Sequence, residues 1–217
     1  MPRIGICDYG VGNLRSVERA LRIAGAEPVI SSDPSVIAGC DGVVLPGVGA
    51  FSVAARTLRE TGLGDAVRDL VQRERPVLGV CLGHQLLFER SDEGHGGEGL
   101  ALLRGRVVRL SPAHGLKVPH MGWNTIRTVR ASPLLEGIAS GSYVYFVHSY
   151  TAIPEPGDTV AITEYGDALA AAVERGTVLG TQFHPEKSGA AGLRVYANFV
   201  SLCGVRVPAR RAGEPWT

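Results

Sequence analysis

The chain has 217 residues, 45% hydrophobic and 20% charged, the balance of an ordinary globular protein with room for one substantial domain. Against 22 basic residues stand 21 acidic ones, a formal charge of +1, so the composition carries no electrostatic footprint for nucleic acid or an anionic membrane. No run approaches the ~20 apolar residues of a membrane helix. The opening MPRIGICDYG lacks the apolar core and cleavage site of a secretory leader, which gives the expectation of a cytoplasmic protein.

RIGICD, Arg3 to Asp8, reads as a short buried strand. After the turn YGVGN, Leu14, Val17, Leu21 and Ala24 recur at helical spacing, and Gly25 ends the helix. EPVI is a second strand, and Ser32-Asp33-Pro34 is a helix start. GVVLPG, Gly42 to Gly47, is a third strand stopped by proline. A helical region from about Ala50 to Arg73 is predicted to break near Gly62 and Gly64, and PVLGV is the fourth strand. Strands alternating with helices imply right-handed crossovers and a parallel sheet covered on both faces.

The second half changes character. RVVRL, GWNTIRTV, YVYFVHSY, TVAITEY, LAAAVE and TVLGTQF are strand-like runs parted by turns, predicting antiparallel strands added to one side of the core. Ala190 to Cys203 reads as a closing helix, and Val207 to Thr217 as a loose tail. The expected fold is α/β: a single flavodoxin-like domain over residues 1–207, with a central mostly parallel sheet, helices on both faces and an added antiparallel sheet. Residues 208–217 form the tail.

Cys7, Cys40, Cys81 and Cys203 are scattered without metal-like pairing and are expected to be free thiols. Cys81 differs from the others because Gly79-Val80-Cys81-Leu82-Gly83 has the G-x-nucleophile-x-G spacing of a nucleophile elbow. A sharp strand-to-helix turn lifts the central side chain off the sheet and needs neighbours without Cβ atoms. The thiol then meets a helix N-terminus, which favours thiolate, and the Leu82 N–H is free to face an oxyanion. The spacing alone leaves a small buried core cysteine as the alternative.

TQFHPEKS supplies a partner. Pro185 pushes His184 toward extended geometry, in which His184 and Glu186 project to the same side. A carboxylate beside an imidazole holds its tautomer and stabilises the imidazolium; read alone, the motif equally describes a charged pair on a surface loop. LPGVGAF, Leu45 to Phe51, is a turn whose unpaired backbone N–H groups are candidates for a second oxyanion donor.

With Cys81, His184 and Glu186 together, the sequence resembles the class I glutamine amidotransferases, over about Arg3 to Cys203. Within them it resembles most the glutaminases of imidazole glycerol phosphate synthases, through DYGVGN, LPGVGAF, GVCLGHQLLFERSDEG, KVPHMGWN, YFVHSY and HPEKSG. The resemblance implies a Cys-His-Glu triad, an oxyanion hole from Leu82 with backbone near Gly47 and Val48, and no metal or organic cofactor. It further implies that Gln85, Glu93 and the backbone of Ser149 and Tyr150 bind glutamine, Glu93 pairing with the α-ammonium.

A glutaminase alone wastes its ammonia, and this chain has no evident second catalytic domain. The resemblance supplies the missing acceptor: a (β/α)8-barrel cyclase subunit of imidazole glycerol phosphate synthase, in histidine biosynthesis. It points to Lys117, His120, Met121, Trp123 and Tyr145 as docking residues, Met, Trp and Tyr being common interface anchors, and to the PGVG strand as a part that adjusts before the oxyanion hole is complete. Three rivals remain: another class I amidotransferase, a flavodoxin-like cysteine hydrolase without an ammonia acceptor, and a nucleotide-binding module built on YGVGN with Asp33 as ribose-binding acid.

Overall fold

The computed structural model describes residues 1–94, 96–111 and 115–204. The proposed tail therefore lies outside the described residues. The elements run β1 (Arg3–Cys7), α1 (Leu14–Ile23), β2 (Glu27–Ser31), α2 (Pro34–Ala38), β3 (Gly42–Leu45), α3 (Phe51–Glu60), α4 (Leu63–Gln72), β4 (Val77–Val80) and α5 (Leu82–Leu86). The second half adds β5 (Arg90–Ser91), β6 (Gly97–Glu98), β7 (Gly105–Arg109), β8 (His120–Thr125), β9 (Arg127–Thr128), β10 (Tyr143–His148) and β11 (Tyr150–Pro154). It closes with β12 (Thr159–Tyr165), β13 (Asp167–Arg175), β14 (Val178–Thr181) and α6 (Gly189–Gly204).

An eight-stranded sheet in the order β2-β1-β3-β4-β14-β13-β12-β9 forms the frame. Its first five strands are parallel and the last three antiparallel. The central strands β3 and β4 are apolar at every position because alternate residues serve opposite, covered faces. Ile4, Ile6, Val44, Leu78 and Val80 pack with α1 and α6, including Leu21, Val195 and Phe199. Val43, Leu45 and Val77 pack on the other side with α2, α3 and α4, including Ile37, Leu58 and Leu70.

The first half follows the sequence closely. Asp33 caps α2, its carboxylate accepting from the Ser35 N–H at 2.8 Å and the Ser35 hydroxyl at 2.7 Å. That occupies the acid which the nucleotide-binding reading needed. The break in the long helical region falls at Gly62, but Gly64 lies inside α4, buried against Leu100.

In the second half the expected arrangement needs correction. TVLGTQF joins the antiparallel addition on one side only: β14 pairs antiparallel with β13 but in parallel with β4, at the centre of the frame. GWNTIRTV divides, β8 pairing with β10 and β9 with β12, and buried Ile126 marks the corner. YVYFVHSY divides at Ser149, so β10 and β11 lie in different small sheets, β10-β8 and β11-β7-β5-β6. Apolar alternation gives a strand's faces but not its partner, so it cannot show where one run changes sheets.

Candidate active site

Cys81 stands at the corner between β4 and α5 with φ 53° and ψ −104°, a conformation that L side chains rarely adopt. The flanking glycines are there for space. A Cβ on Gly79 would lie 2.6 Å from the Gly83 carbonyl oxygen, and one on Gly83 would overlap the Leu45 carbonyl. The turn is anchored by the Cys81 N–H, which donates to the Thr181 carbonyl of β14 at 2.8 Å. α5 has only five residues, so its dipole does little for the sulfur. A side chain does more: Gln182 aims its Nε2 donor at the Cys81 sulfur from 3.9 Å.

β14 lies beside β4, so the segment that leaves β14 reaches the elbow at once. His184 and Glu186 sit there, both side chains almost wholly buried, with His184 Nδ1 2.8 Å from Glu186 Oε1. The pairing agrees with the sequence reading, but its geometry does not: Pro185–Lys187 form a single 3-10 turn, and only His184 is extended. The imidazole Nε2 has no hydrogen-bond partner among the described residues. Burial opposes a charge on His184, but the nearby Cys81 sulfur and then Glu186 outweigh it and push the imidazole up to about 10. The sulfur thus acts on the imidazole at short range, although His184 Nε2 makes no formed hydrogen bond.

The turn itself is stitched to β10. The His184 N–H donates to the Tyr145 carbonyl at 2.9 Å, the Tyr145 N–H donates to Ser188 Oγ at 3.0 Å, and the Ser188 hydroxyl donates to the His184 carbonyl at 2.6 Å. Tyr196 on α6 lies fully buried near Glu186; burial first, and then the Glu186 charge, raise its phenol well above the usual value. Sequence reading missed Gln182, Ser188 and Tyr196. The first two lie two residues to either side of the His-Pro-Glu motif, which was the available signal.

A cleft of about 310 Å³ opens on the sulfur, lined by Val48, Cys81, Leu82, Gln85, Glu93, Ser149 and Tyr150 among others. It brings together all four residues expected to bind substrate, but two do more than expected. Glu93 Oε2 accepts from the Phe51 N–H at 2.8 Å, completing the start of α3, whose N-cap Ala50 has no capping side chain. Gln85 is buried, and its amide donates to the Tyr150 carbonyl at 2.9 Å and to Gln182 Oε1 at 3.2 Å.

The backbone groups expected to hold an oxyanion are engaged with one another. The Leu82 N–H points at the Gly47 carbonyl, 3.4 Å away, so the expected donor is already engaged by that oxygen. Val48 is exposed beside it.

The residues expected to dock a partner separate by exposure. Met121 and Trp123 on β8 stand out at 63% and 56% exposed, with Tyr143, which sequence reading omitted, at 63% on the paired β10. Lys117 is exposed and Tyr145 half-buried, its ring edge-on to Trp123 at 6.0 Å. His120, expected as a polar contact at the rim, is instead buried between the rings of Phe146 and Tyr165. Strand alternation explains this, since His120 faces away from Met121 and toward the core.

A family model described as glutamine amidotransferase class-I matches residues 5–202. The chain belongs to this family. Curated members similar to it include the protein named imidazole glycerol phosphate synthase subunit HisH of Methanosarcina mazei, 50% identical over 205 residues and covering 94% of this chain and 100% of that protein. The protein of the same name from Geobacillus thermodenitrificans is 50% identical, covering 93% and 97%. A solved glutamine amidotransferase superposes with a TM-score of 0.73 at 25% identity, covering 93% and 99%. The cysteine elbow and the His-Pro-Glu turn therefore belong to an amidotransferase domain. Among the described residues there is no metal-binding cluster, and no helix is long and apolar enough to cross a membrane.

Proposed function

We propose that this chain is the glutaminase subunit of an imidazole glycerol phosphate synthase. It hydrolyses glutamine to glutamate and ammonia, and hands the ammonia to a (β/α)8-barrel cyclase that forms imidazole glycerol phosphate and aminoimidazole carboxamide ribonucleotide in histidine biosynthesis. The setting we infer is cytoplasmic, in keeping with four unpaired cysteines. One observation carries the chemistry: a cysteine held at positive φ beside a buried imidazole that is itself held 2.8 Å from a carboxylate. Near-full-length identity of about half to proteins of that name supports the pathway.

In this reading the Cys81 sulfur attacks the side-chain amide carbon of glutamine. His184 gives a proton to the departing ammonia, and Glu186 holds the ring. A glutamyl thioester remains; water, deprotonated by His184, attacks it and releases glutamate and the thiol. Glu93 pairs with the α-ammonium of the substrate, beside Gln85 and the backbone of Ser149 and Tyr150. Lys117, Met121, Trp123 and Tyr145 meet the cyclase, and Tyr143 extends the same face.

The Gly47 carbonyl must leave the oxyanion position before this chemistry proceeds. Rotation of the Gly47–Val48 peptide replaces that oxygen with the Val48 N–H and frees the Leu82 N–H, giving two donors. Docking of a substrate-loaded cyclase favours that rotated state. The test is glutamate release by the isolated chain and by the complex with and without the cyclase's nucleotide. Strong stimulation by the loaded complex is expected, and equal rates would remove the gating. Cys81→Ala is expected to end glutamine-dependent synthesis while sparing synthesis from ammonium salts. Loss of both would make Cys81 a residue of folding or docking.

A further inference from the structure

Behind the exposed faces of Met121 and Trp123, a line of polar side chains runs from half-buried Asn124 through buried His120 and His148 to the cleft. His148 Nδ1 lies 2.8 Å from the Tyr150 carbonyl oxygen, which only accepts, so Nδ1 carries the proton and Nε2 a lone pair. His120 Nδ1 lies 3.0 Å from that Nε2 and must be the donor. His120 Nε2 is then an acceptor, supplied by Asn124 Nδ2 at 3.3 Å. The Asn124 amide has no freedom to turn, because Nδ2 also donates to the Glu164 carbonyl at 2.9 Å while its Oδ1 accepts from the Thr125 N–H at 2.8 Å. Each bond thus fixes the direction of the next, and both rings are neutral with Nδ1 protonated. Burial agrees, holding His120 and His148 down to about 4.

The line continues beyond Tyr150. Its carbonyl accepts from Gln85 as well as from His148, Gln85 spends its other N–H on Gln182, and Gln182 turns its amide toward the Cys81 sulfur. With both N–H groups committed, Gln85 offers a ligand its oxygen alone. That is an acceptor suited to the α-ammonium end of an amino acid.

We propose that His120 and His148 are positioning residues for glutamine: a one-way donor chain from Asn124 through both imidazoles holds the Tyr150 carbonyl in place, and that carbonyl, with Gln182, engages both Gln85 N–H groups and leaves the Gln85 oxygen to the substrate. The same chain ties the strand that displays Met121 and Trp123 to the substrate cleft. Neither histidine touches substrate in this scheme. The inference rests on the glutaminase reading above for its substrate, while the hydrogen-bond chain stands on geometry alone.

Two measurements test it. Long-range proton–nitrogen correlation spectra of the full chain report each imidazole's tautomer, and Nδ1–H is expected for both His120 and His148. Nε2–H at either position overturns the chain, whatever the protein's activity. Steady-state glutamine hydrolysis by the complex with its cyclase tests the role. His120→Phe keeps the ring stack but leaves the His148 acceptor bare, and should raise KM about tenfold, with kcat changed less than about threefold. His120→Gln, whose amide both accepts from Asn124 and donates to His148, should bring KM back to within about threefold of the parent. An unchanged KM in His120→Phe, or equal damage in both variants, overturns the positioning role. Absence of turnover by the parent complex would count against the glutaminase reading and leave the spectra to decide the chain. If His120→Phe does not fold, the tautomers of the parent still decide.

Discussion

The His184 imidazole and the Glu186 carboxylate stand 2.8 Å apart across one turn of 3-10 helix, almost sealed from solvent. An ion pair so placed gains more from mutual attraction than an exposed one, and it loses more when a partner is removed. Glu186→Gln keeps the shape and removes the charge. It should lower the His184 pKa and reduce kcat by about 10²- to 10⁴-fold, with little change in KM. Titration of the His184 ring and glutaminase kinetics check the two halves; wild-type kcat would show that the carboxylate does no catalytic orientation.

Stability should be greatest near the ordinary histidine pKa of 6.5. Burial first holds His84 down to about 3 and His120 and His148 to about 4, so between those values and 6.5 the unfolded chain binds protons that the folded chain refuses. Stability therefore falls as pH drops through that window, by up to roughly 4 kcal/mol per pH unit where all three act together. His184 acts on the other side: burial is outweighed by Cys81 and Glu186, its folded value is about 10, and its contribution is complete below 6.5 and fades as pH rises toward 10. Denaturant midpoints across this range check the shape, and Glu186→Gln should flatten the alkaline limb.

Glu93 has two duties that substitutions can separate. Glu93→Gln keeps an acceptor for the Phe51 N–H but loses the charge for an α-ammonium, so KM should rise about 10- to 100-fold with Tm within about 2 °C. Glu93→Ala loses both and should also lower stability by about 1 kcal/mol. If the Gln variant has normal KM, Glu93 serves only α3.

Gly83→Ala should be among the most damaging small substitutions in the chain, at roughly 3 kcal/mol or more, because the added methyl meets backbone at Leu45 rather than a side chain that can turn aside. Thermal denaturation reads this directly. A variant of near-parental Tm would mean that the elbow tolerates a wider turn.

Trp123→Ala should leave the isolated chain as stable as the parent, within about 0.5 kcal/mol, since more than half of the ring is exposed. Affinity for the cyclase should fall by about 2 kcal/mol, roughly 30-fold. Calorimetric titration of the two subunits checks it, and unchanged affinity would move the docking face elsewhere.

The first half of the fold was legible because its signals are local: apolar runs for β1, β3 and β4, an Asp-Pro start for α2, and glycines that shape the Cys81 turn. Cys81, His184 and Glu186 were legible as candidates because each lies in a short motif, but the motifs alone left a core cysteine and a surface ion pair open, and only the family resemblance joined the three. What escaped was set by pairing at long range. Nothing near Ser149 marks the change of sheet between β10 and β11, and TVLGTQF looks like any edge strand until it is seen beside β4. His120 could be read from sequence as a rim contact or a satisfied core histidine, and the family resemblance alone favoured the rim, although strand alternation puts it on the face opposite Met121. Gln182 was passed over because a buried amide gains meaning only from what it faces, here Gln85 and the sulfur.

The central pairing of β14 with β4 has a consequence for how the molecule comes into being. Gln182 and Cys81 are 101 residues apart in the chain, so during synthesis the thiol emerges long before the strand that brings its base. A nascent or prematurely ended polypeptide that lacks β14 and the turn after it would hold the sulfur with neither Gln182 nor His184 beside it. Competence arrives late and abruptly, with the insertion of one four-residue strand into a slot between its neighbours.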